Sequence, residues 1–311
     1  MKPSSLHYFD ATGRRVELGL PLAAGGEGAV YASTQRGDWV VKVYHPDEAR
    51  GSGRDAKLTA MVAMPALRAY PLLAWPQELL YTASGRVGGY AMRRVNGVTL
   101  VALTSPALMR RRLPGWGLRH VVRVVHDLAS IFHQLETHGE GVFVPDLNLG
   151  NFILTPQTEV IGIDCDSYTV RSRGRTFPSR VFTSDLQAPE VLTGRVPLEE
   201  FGVPQFRFAG ALLLFALLTG GSPYSTREGL SVPEAILARR CFLGGRGTAT
   251  GCSNDAIWQR YRALPPRLAA LCKRAFLSGH TEDLAARPSF SEWRSAARSF
   301  FEQVNSTQTT R

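Results

Sequence analysis

Apolar positions along the chain change their spacing once, near residue 95. From about Val16 to Arg93 they fall in short β-branched runs separated by Gly, Pro and Asp. Residues 29–32, 39–44 and 87–92 therefore read as antiparallel strands. Between them, residues 54–64 place Leu58, Met61 and Val62 at helical spacing and stop at Pro65, so one short helix interrupts the sheet. Beyond Val95 the period becomes helical. Residues 120–135 put Val121, Val125, Leu128, Phe132 and Leu135 on one face, and Gly139 supplies the stop. Residues 208–218 are apolar all round, the pattern of a central helix with neighbours on every side. Further helices are predicted at 232–240, 265–277 and 291–304, and the polar tail 305–311 is predicted to be disordered. The pattern implies an α+β chain: a small antiparallel sheet with one helix over 1–95, then a larger helical part over 96–304.

Composition narrows this picture. A chain of 311 residues with 44% apolar content can bury a substantial core and suits one domain built of two lobes. Its longest apolar run, 208–218, is 11 residues, well short of the roughly 20 that span a bilayer. The segment Met1-Lys2-Pro3-Ser4-Ser5 has no apolar stretch behind its basic residue, so a cytoplasmic location and no membrane partner are expected. Cys165, Cys241, Cys252 and Cys272 show neither CxxC pairing nor a close His, which points to free thiols rather than zinc or disulfides. The net charge of +10 attracts polyanions in general. No helix-turn-helix, zinc-finger or RNP-like signature accompanies it, so nucleic acid is not the expected partner.

Three segments carry chemistry. The turn Gly25-Gly26-Glu27-Gly28 joins two predicted strands, and glycine there lets backbone N–H groups approach phosphate oxygens. An ordinary hairpin has the same composition. Lys42 then sits alone within the apolar strand Val40-Val41-Lys42-Val43, where an ammonium is costly without a carboxylate or phosphate partner. Further on come Asp146-Leu147-Asn148-Leu149-Gly150-Asn151 and, thirteen residues past Asn151, Asp164-Cys165-Asp166. Phosphoryl transfer needs a carboxylate to accept the proton of the attacking hydroxyl and oxygen ligands for Mg²⁺. Asp146, Asn151 and Asp164 have the groups for this, although any one of them also suits a plain turn.

Together these segments resemble the protein-kinase superfamily, from about Leu18 to Ala297. Gly25 and Gly28 match the second and third glycines of GxGxxG, Lys42 the strand lysine, Asp146 with Asn151 the DxxxxN loop, and Asp164 the aspartate of DFG. Ala188-Pro189-Glu190 matches APE, and Arg287-Pro288-Ser289 the late arginine segment, which implies a buried Glu190–Arg287 ion pair. The resemblance implies a bilobal kinase fold that uses ATP and Mg²⁺, with Asp146 as base and Asn151 and Asp164 as metal ligands. Lys42, Gly25, Gly26, Gly28, Val30, Met92 at the gatekeeper position and Arg94 in the hinge would hold the nucleotide. It further implies a Ser/Thr-type transfer to a protein substrate. The Ile-Asp-Cys-Asp-Ser segment is similar to a divergent bacterial branch associated with tellurite-resistance-type phosphorylation clusters.

Departures from the family pattern leave other readings open. Ala23 replaces the first glycine, Val144-Pro145 the His-Arg pair, Asn148 a phosphate-contacting lysine, and Phe206 a helix-start aspartate. These favour a pseudokinase that binds a nucleotide or a regulatory partner without transfer. A small-molecule phosphotransferase shares DxxxxN and the following Ile-Asp, but the Ala-Pro-Glu and Arg287 segments argue against it. Between Lys42 and the hinge the acids are Asp47, Glu48, Asp55 and Glu78. Asp55, on the inward face of the short helix, is the best candidate partner for Lys42; capping that helix is its alternative role. Asp166 reads equally as a second carboxylate near the metal or as a turn residue. Arg171, Arg173, Arg175 and Arg180 would suit an acidic substrate or simply a solvated face.

Overall fold

The computed structural model describes residues 7–45, 53–244, 251–281 and 283–309. The chain divides into two compact units, one of residues up to Asn96 together with Ile161–Asp166, the other of Gly97–Val160 and Ser167 onward.

The first unit is a seven-stranded antiparallel sheet. Its strands are β1 (Tyr8–Phe9), β2 (Arg15–Val16), β3 (Leu18–Ala24), β4 (Gly28–Ser33), β5 (Trp39–Tyr44), β6 (Glu78–Thr82) and β7 (Val87–Arg93), in the spatial order β2-β1-β6-β7-β5-β4-β3. Side chains alternate across a strand, so Val41 and Val43 of β5 fall on one face, where they pack with Tyr8 and Leu80. Lys42 and Tyr44 fall on the other. Helix α1 (Arg54–Val62) buries Leu58 and Met61. The expectation of a single helix needs correction, because Pro65 does more than stop α1. It opens a further turn, α2 (Pro65–Arg68), where its fixed φ and missing N–H cost nothing at a helix start. Trp75, fully buried, donates its indole N–H to the Met61 carbonyl at 2.9 Å and fastens the end of α1.

The second unit is mainly helical. In order it contains β8 (Val98–Thr99), α3 (Pro106–Arg112), α4 (Leu118–Glu136), β9 (Val142–Phe143), β10 (Phe152–Leu154), β11 (Val160–Gly162, which ends in the first unit), β12 (Thr169–Ser172), β13 (Arg175–Phe177), α5 (Pro189–Leu192), α6 (Val203–Thr219), α7 (Val232–Leu237), α8 (Asp255–Arg262), α9 (Pro266–Lys273) and α10 (Phe290–Thr309). Helix α6 starts five residues before the apolar run, because Pro204 sits in its first turn and the Gln205 side chain accepts the Gly202 N–H at 3.1 Å. Its apolar stretch is buried, as the all-round pattern requires. Phe132 of α4, Phe206 of α6 and Phe290 of α10 meet with ring centroids 4.9–5.3 Å apart, and Gly210 leaves the space that Phe290 fills. A side chain at position 210 would come within 2.5 Å of that ring.

The tail expectation fails over residues 305–309. Helix α10 continues to Thr309, and the Ser306 hydroxyl donates to the carbonyls of Glu302 and Gln303, at 3.0 Å each. Extending a formed helix adds a hydrogen bond per residue without a new nucleation cost, which a polar sequence can meet. Residues 310 and 311 lie outside the described residues. All four cysteines are buried free thiols. No helix among the described residues is long and apolar enough to cross a membrane.

Candidate active site

In the first unit, sheet register assembles a charged cluster. Lys42 lies opposite Val30 on β4 and opposite Tyr90 on β7, and directly opposed residues share a face. Tyr44, two residues on, shares it as well. The segment carrying Asp164 and Asp166 is tied to the same unit through Gly162, whose N–H donates to the Leu72 carbonyl at 2.9 Å and whose carbonyl accepts the Ala74 N–H at 2.8 Å. Asp164 then adopts a left-handed backbone, φ 56°, a conformation that Asp tolerates better than most residues.

The Lys42 ammonium donates to Asp164 Oδ1 at 2.5 Å and to both oxygens of Asp166 at 2.8 and 2.9 Å. Asp166 also accepts the hydroxyls of Tyr44 at 2.6 Å and Tyr90 at 2.7 Å. Its side chain is 4% exposed, against 42% for Asp164. Burial alone pulls the lysine down, yet Asp166 and Asp164 outweigh it and leave Lys42 raised. For Asp166, burial favours the neutral acid, but Lys42 and the two tyrosines hold it well below the usual carboxylate range. Asp164 is raised by burial and by the like charge of Asp166, against the pull of Lys42. One lysine thus serves two carboxylates, and the inner one engages it through both oxygens.

Asp55 is therefore not the partner of Lys42. Its Oδ2 accepts the Val87 N–H at 3.4 Å, at the start of β7. Of the other three acids, Asp47 and Glu48 lie outside the described residues, and Glu78 pairs with Arg36 at 2.8 Å.

The glycine turn separates into two roles. Gly28 is buried, and a Cβ there would sit 2.2 Å from the Val43 carbonyl oxygen, so strand packing alone demands glycine. Around Gly25 and Gly26 nothing lies within 4 Å of such a Cβ. The turn is closed by the Gly25 N–H to the Gly28 carbonyl at 2.9 Å. Val30 is half-buried, and Met92 is buried opposite Val40. The Arg94 side chain is exposed and its N–H is spent on the Asp38 carbonyl at 2.8 Å, so that amide is not open to a base.

In the second unit, the loop after β9 holds Asp146 half-buried. The Thr183 hydroxyl donates to Asp146 Oδ1 at 2.7 Å, and the Asn148 amide donates to Oδ2 at 3.1 Å. Asn151 donates its side-chain N–H to the Asp146 carbonyl at 3.2 Å, which turns its own oxygen away from that contact. Gln187, fully buried, donates to the Pro145 carbonyl at 2.6 Å. Phe206, in place of the family's aspartate, packs on Phe143 at a centroid distance of 6.0 Å, three residues before Asp146. An apolar contact thus steadies the loop where the family pattern leads one to expect a polar one.

Thr183, Gln187, Tyr44 and Tyr90 were not legible as site residues. Tyr44 carried a usable signal, since it lies two positions after Lys42 in a strand. The other three depend on register or on chain segments tens of residues away.

The anticipated ion pair is formed. Arg287 donates to Glu190 through both terminal nitrogens, at 2.6 and 3.0 Å, with both side chains buried. Its remaining N–H groups go to the carbonyls of Gly279, Pro204 and His280. All five guanidinium donors are therefore used. Gln205 adds a bond to Glu190 at 2.9 Å. Of the arginines between β12 and α5, Arg171 is structural: it donates to the carbonyls of Glu200 and Phe201 and lies over the Phe143 ring.

These charges imply an acid limit on stability. Glu190, like Asp166, lies below its ordinary range: burial opposes this, but Arg287 prevails. Groups that bind protons more weakly when folded stabilise the fold above their unfolded pKa, about 4, and lose that contribution as pH falls through the folded value. Asp164, shifted the other way, takes up its proton earlier in the folded chain and offsets part of the loss. The urea midpoint is expected to decline modestly between pH 7 and about pH 5, because burial holds His120, His138 and His280 below their ordinary range and the unfolded chain binds those protons more readily, and to fall further below about pH 4. Titrating the midpoint by circular dichroism checks this, and a midpoint that rose on acidification would contradict it.

Fold and site together define a chain of the protein-kinase superfamily, with an antiparallel sheet unit that carries the lysine and a helical unit that carries the Asp146 loop and the Glu190–Arg287 pair. Among curated proteins, the chain is similar to Protein kinase YegI of Escherichia coli strain K12, 31% identical over 236 residues, and to Protein kinase YegI of Escherichia coli O157:H7, 32% identical over 239 residues. The alignments cover 71% and 72% of this chain but 34% of each relative, so the chain spans about a third of their length. No family model matches the chain.

Proposed function

We propose that the chain is an ATP-dependent, Mg²⁺-using phosphotransferase that passes the γ-phosphate to a Ser or Thr hydroxyl of a protein. The observation that carries this reading is the Asp146 carboxylate, half-buried and already accepting a hydrogen bond from an alcohol, the Thr183 hydroxyl. A base for hydroxyl attack must accept from an alcohol at such a distance. In this reading Asp146 takes the proton of the substrate hydroxyl. Lys42 keeps two of its N–H groups on Asp166 and offers the third, now on Asp164, to the α and β phosphates.

Asp164, the more exposed of the two carboxylates, and the side-chain oxygen of Asn151 have the hard oxygen donors that Mg²⁺ prefers. Among the described residues no three His, Cys, Asp or Glu side chains gather as a metal cage. This fits a cation held mainly by phosphate oxygens, which would supply charge neutralisation on the transferred group.

A second reading, a module that binds nucleotide without transfer, is favoured by Asn148. Asn148 keeps a donor on Asp146 but brings no positive charge to the transferring phosphate. Incubation with γ-labelled ATP, Mg²⁺ and candidate protein substrates separates the two. Label transfer that is lost in Asp164→Asn supports the enzyme. Nucleotide binding without any transfer in the intact chain sinks the enzyme in favour of the module.

A further inference from the structure

We propose that Asp166 is the positioning residue of Lys42, held by Tyr44 and Tyr90, so that the lysine is set by the sheet and the Asp164 segment rather than by a carboxylate on helix α1. The proposal rests on the phosphotransferase reading for its kinetic consequence, though not for its geometry.

An ionised carboxylate offers about four lone-pair positions. On Asp166 four contacts are made: two from Lys42, one from the Tyr44 hydroxyl and one from the Tyr90 hydroxyl. Nothing remains with which to ligate a metal ion, and the side chain is nearly closed to solvent. That distinguishes it from Asp164, two residues earlier, whose side chain is 42% exposed. The two acids thus divide the work: the outer one faces ligand chemistry, and the inner one anchors the ammonium.

Both tyrosines are themselves placed by β-sheet register. Tyr90 is the cross-strand partner of Lys42, and Tyr44 follows Lys42 on the same face. Their rings are buried and tilted against each other at 6.4 Å between centroids, and the Arg54 guanidinium lies 4.3 Å from the Tyr44 ring centre. Hydroxyls fixed in this way hold the carboxylate in one orientation before any ligand arrives, which lowers the cost of ordering the lysine later. The one acid in α1, Asp55, is turned to the Val87 amide and takes no part. Displacing α1 would therefore take no carboxylate from Lys42, only the Arg54 guanidinium from the face of the Tyr44 ring, unlike an arrangement in which a helix glutamate completes the pair.

The test reads the ammonium itself in the full, nucleotide-free chain. The sequence contains four lysines, Lys2, Lys42, Lys57 and Lys273, so ¹⁵N-lysine labelling gives few Nζ signals, and the one lost in Lys42→Arg belongs to Lys42. A buried ammonium with every proton bonded exchanges slowly and gives a resolved signal. That signal is expected to vanish in Asp166→Asn, to broaden in the double variant Tyr44→Phe/Tyr90→Phe, and to persist in Asp55→Asn. In parallel, phosphate transfer should fall about 100-fold in Asp166→Asn, recover in part in Asp166→Glu, and change less than about 3-fold in Asp55→Asn. Should Asp166→Asn fail to fold, the double tyrosine variant, which keeps both charges, carries the test. An unchanged Lys42 signal in that variant, or its loss in Asp55→Asn, overturns the proposal. Absence of transfer in the intact chain, with the signals behaving as stated, would sink the phosphotransferase reading and leave the positioning role of Asp166 supported.

Discussion

Replacing Asp146 with asparagine is expected to lower the rate of phosphate transfer by about 10²- to 10⁴-fold, the usual contribution of a positioned general base. The fold should survive. Asparagine keeps an oxygen to accept the Thr183 hydroxyl, and what it loses is the acceptor now facing the Asn148 amide. One hydrogen bond to a charged group is worth about 1.5–3 kcal/mol, too little to explain a thousandfold fall in rate through unfolding. Nucleotide affinity should change little, since Asp146 is assigned to the acceptor hydroxyl and not to the phosphates. Single-turnover rates measured beside calorimetric nucleotide binding check both statements. If Asp146→Asn transferred phosphate within a few-fold of the parent, another residue would have to be the base.

The largest effect on stability is expected at Arg287. Changing it to methionine strips a buried Glu190 of its counter-charge and leaves the carbonyls of Gly279, Pro204 and His280 without their donor. Breaking a buried pair from one side costs about 3–5 kcal/mol, a large part of the 5–15 kcal/mol that typically holds a domain together. Arg287→Lys should be nearly as damaging, because three ammonium protons cannot replace five donors in a fixed fork. Glu190→Gln should cost a similar amount from the other side, and the double change Glu190→Gln/Arg287→Met should cost less than the sum of the two single changes, since no lone charge is left behind. Urea midpoints of the four variants decide this. Additive losses would mean that the pair contributes no coupling.

The two charged clusters differ in how far they could be read from the chain. Glu190 and Arg287 were matched because each sits in a recognisable segment, Ala-Pro-Glu and Arg-Pro-Ser, and a buried arginine has few acceptable partners. The need of Lys42 for an anion was equally legible, since an ammonium inside Val40-Val41-Lys42-Val43 must be paired. The identity of that anion was not. Helical spacing pointed to Asp55, on the element nearest in sequence, while the bonded carboxylates lie 122 and 124 residues away. Phe206 shows the same limit: as a substitution it looked like a lost tie to the Asp146 loop, and only its packing on Phe143 revealed an apolar replacement.

By itself, then, the order of residues determined the switch from strand to helix near residue 95, the positions of the reactive groups, and the rule that every buried charge must find an opposite one. Those follow from local periodicity and from the cost of desolvation, which act on short stretches and single side chains. Which acid anchors the lysine, which hydroxyls hold that acid, and which ring supports the Asp146 loop were settled by the tertiary structure. Strand register and the return of the chain through Gly162 bring together groups that no local pattern relates.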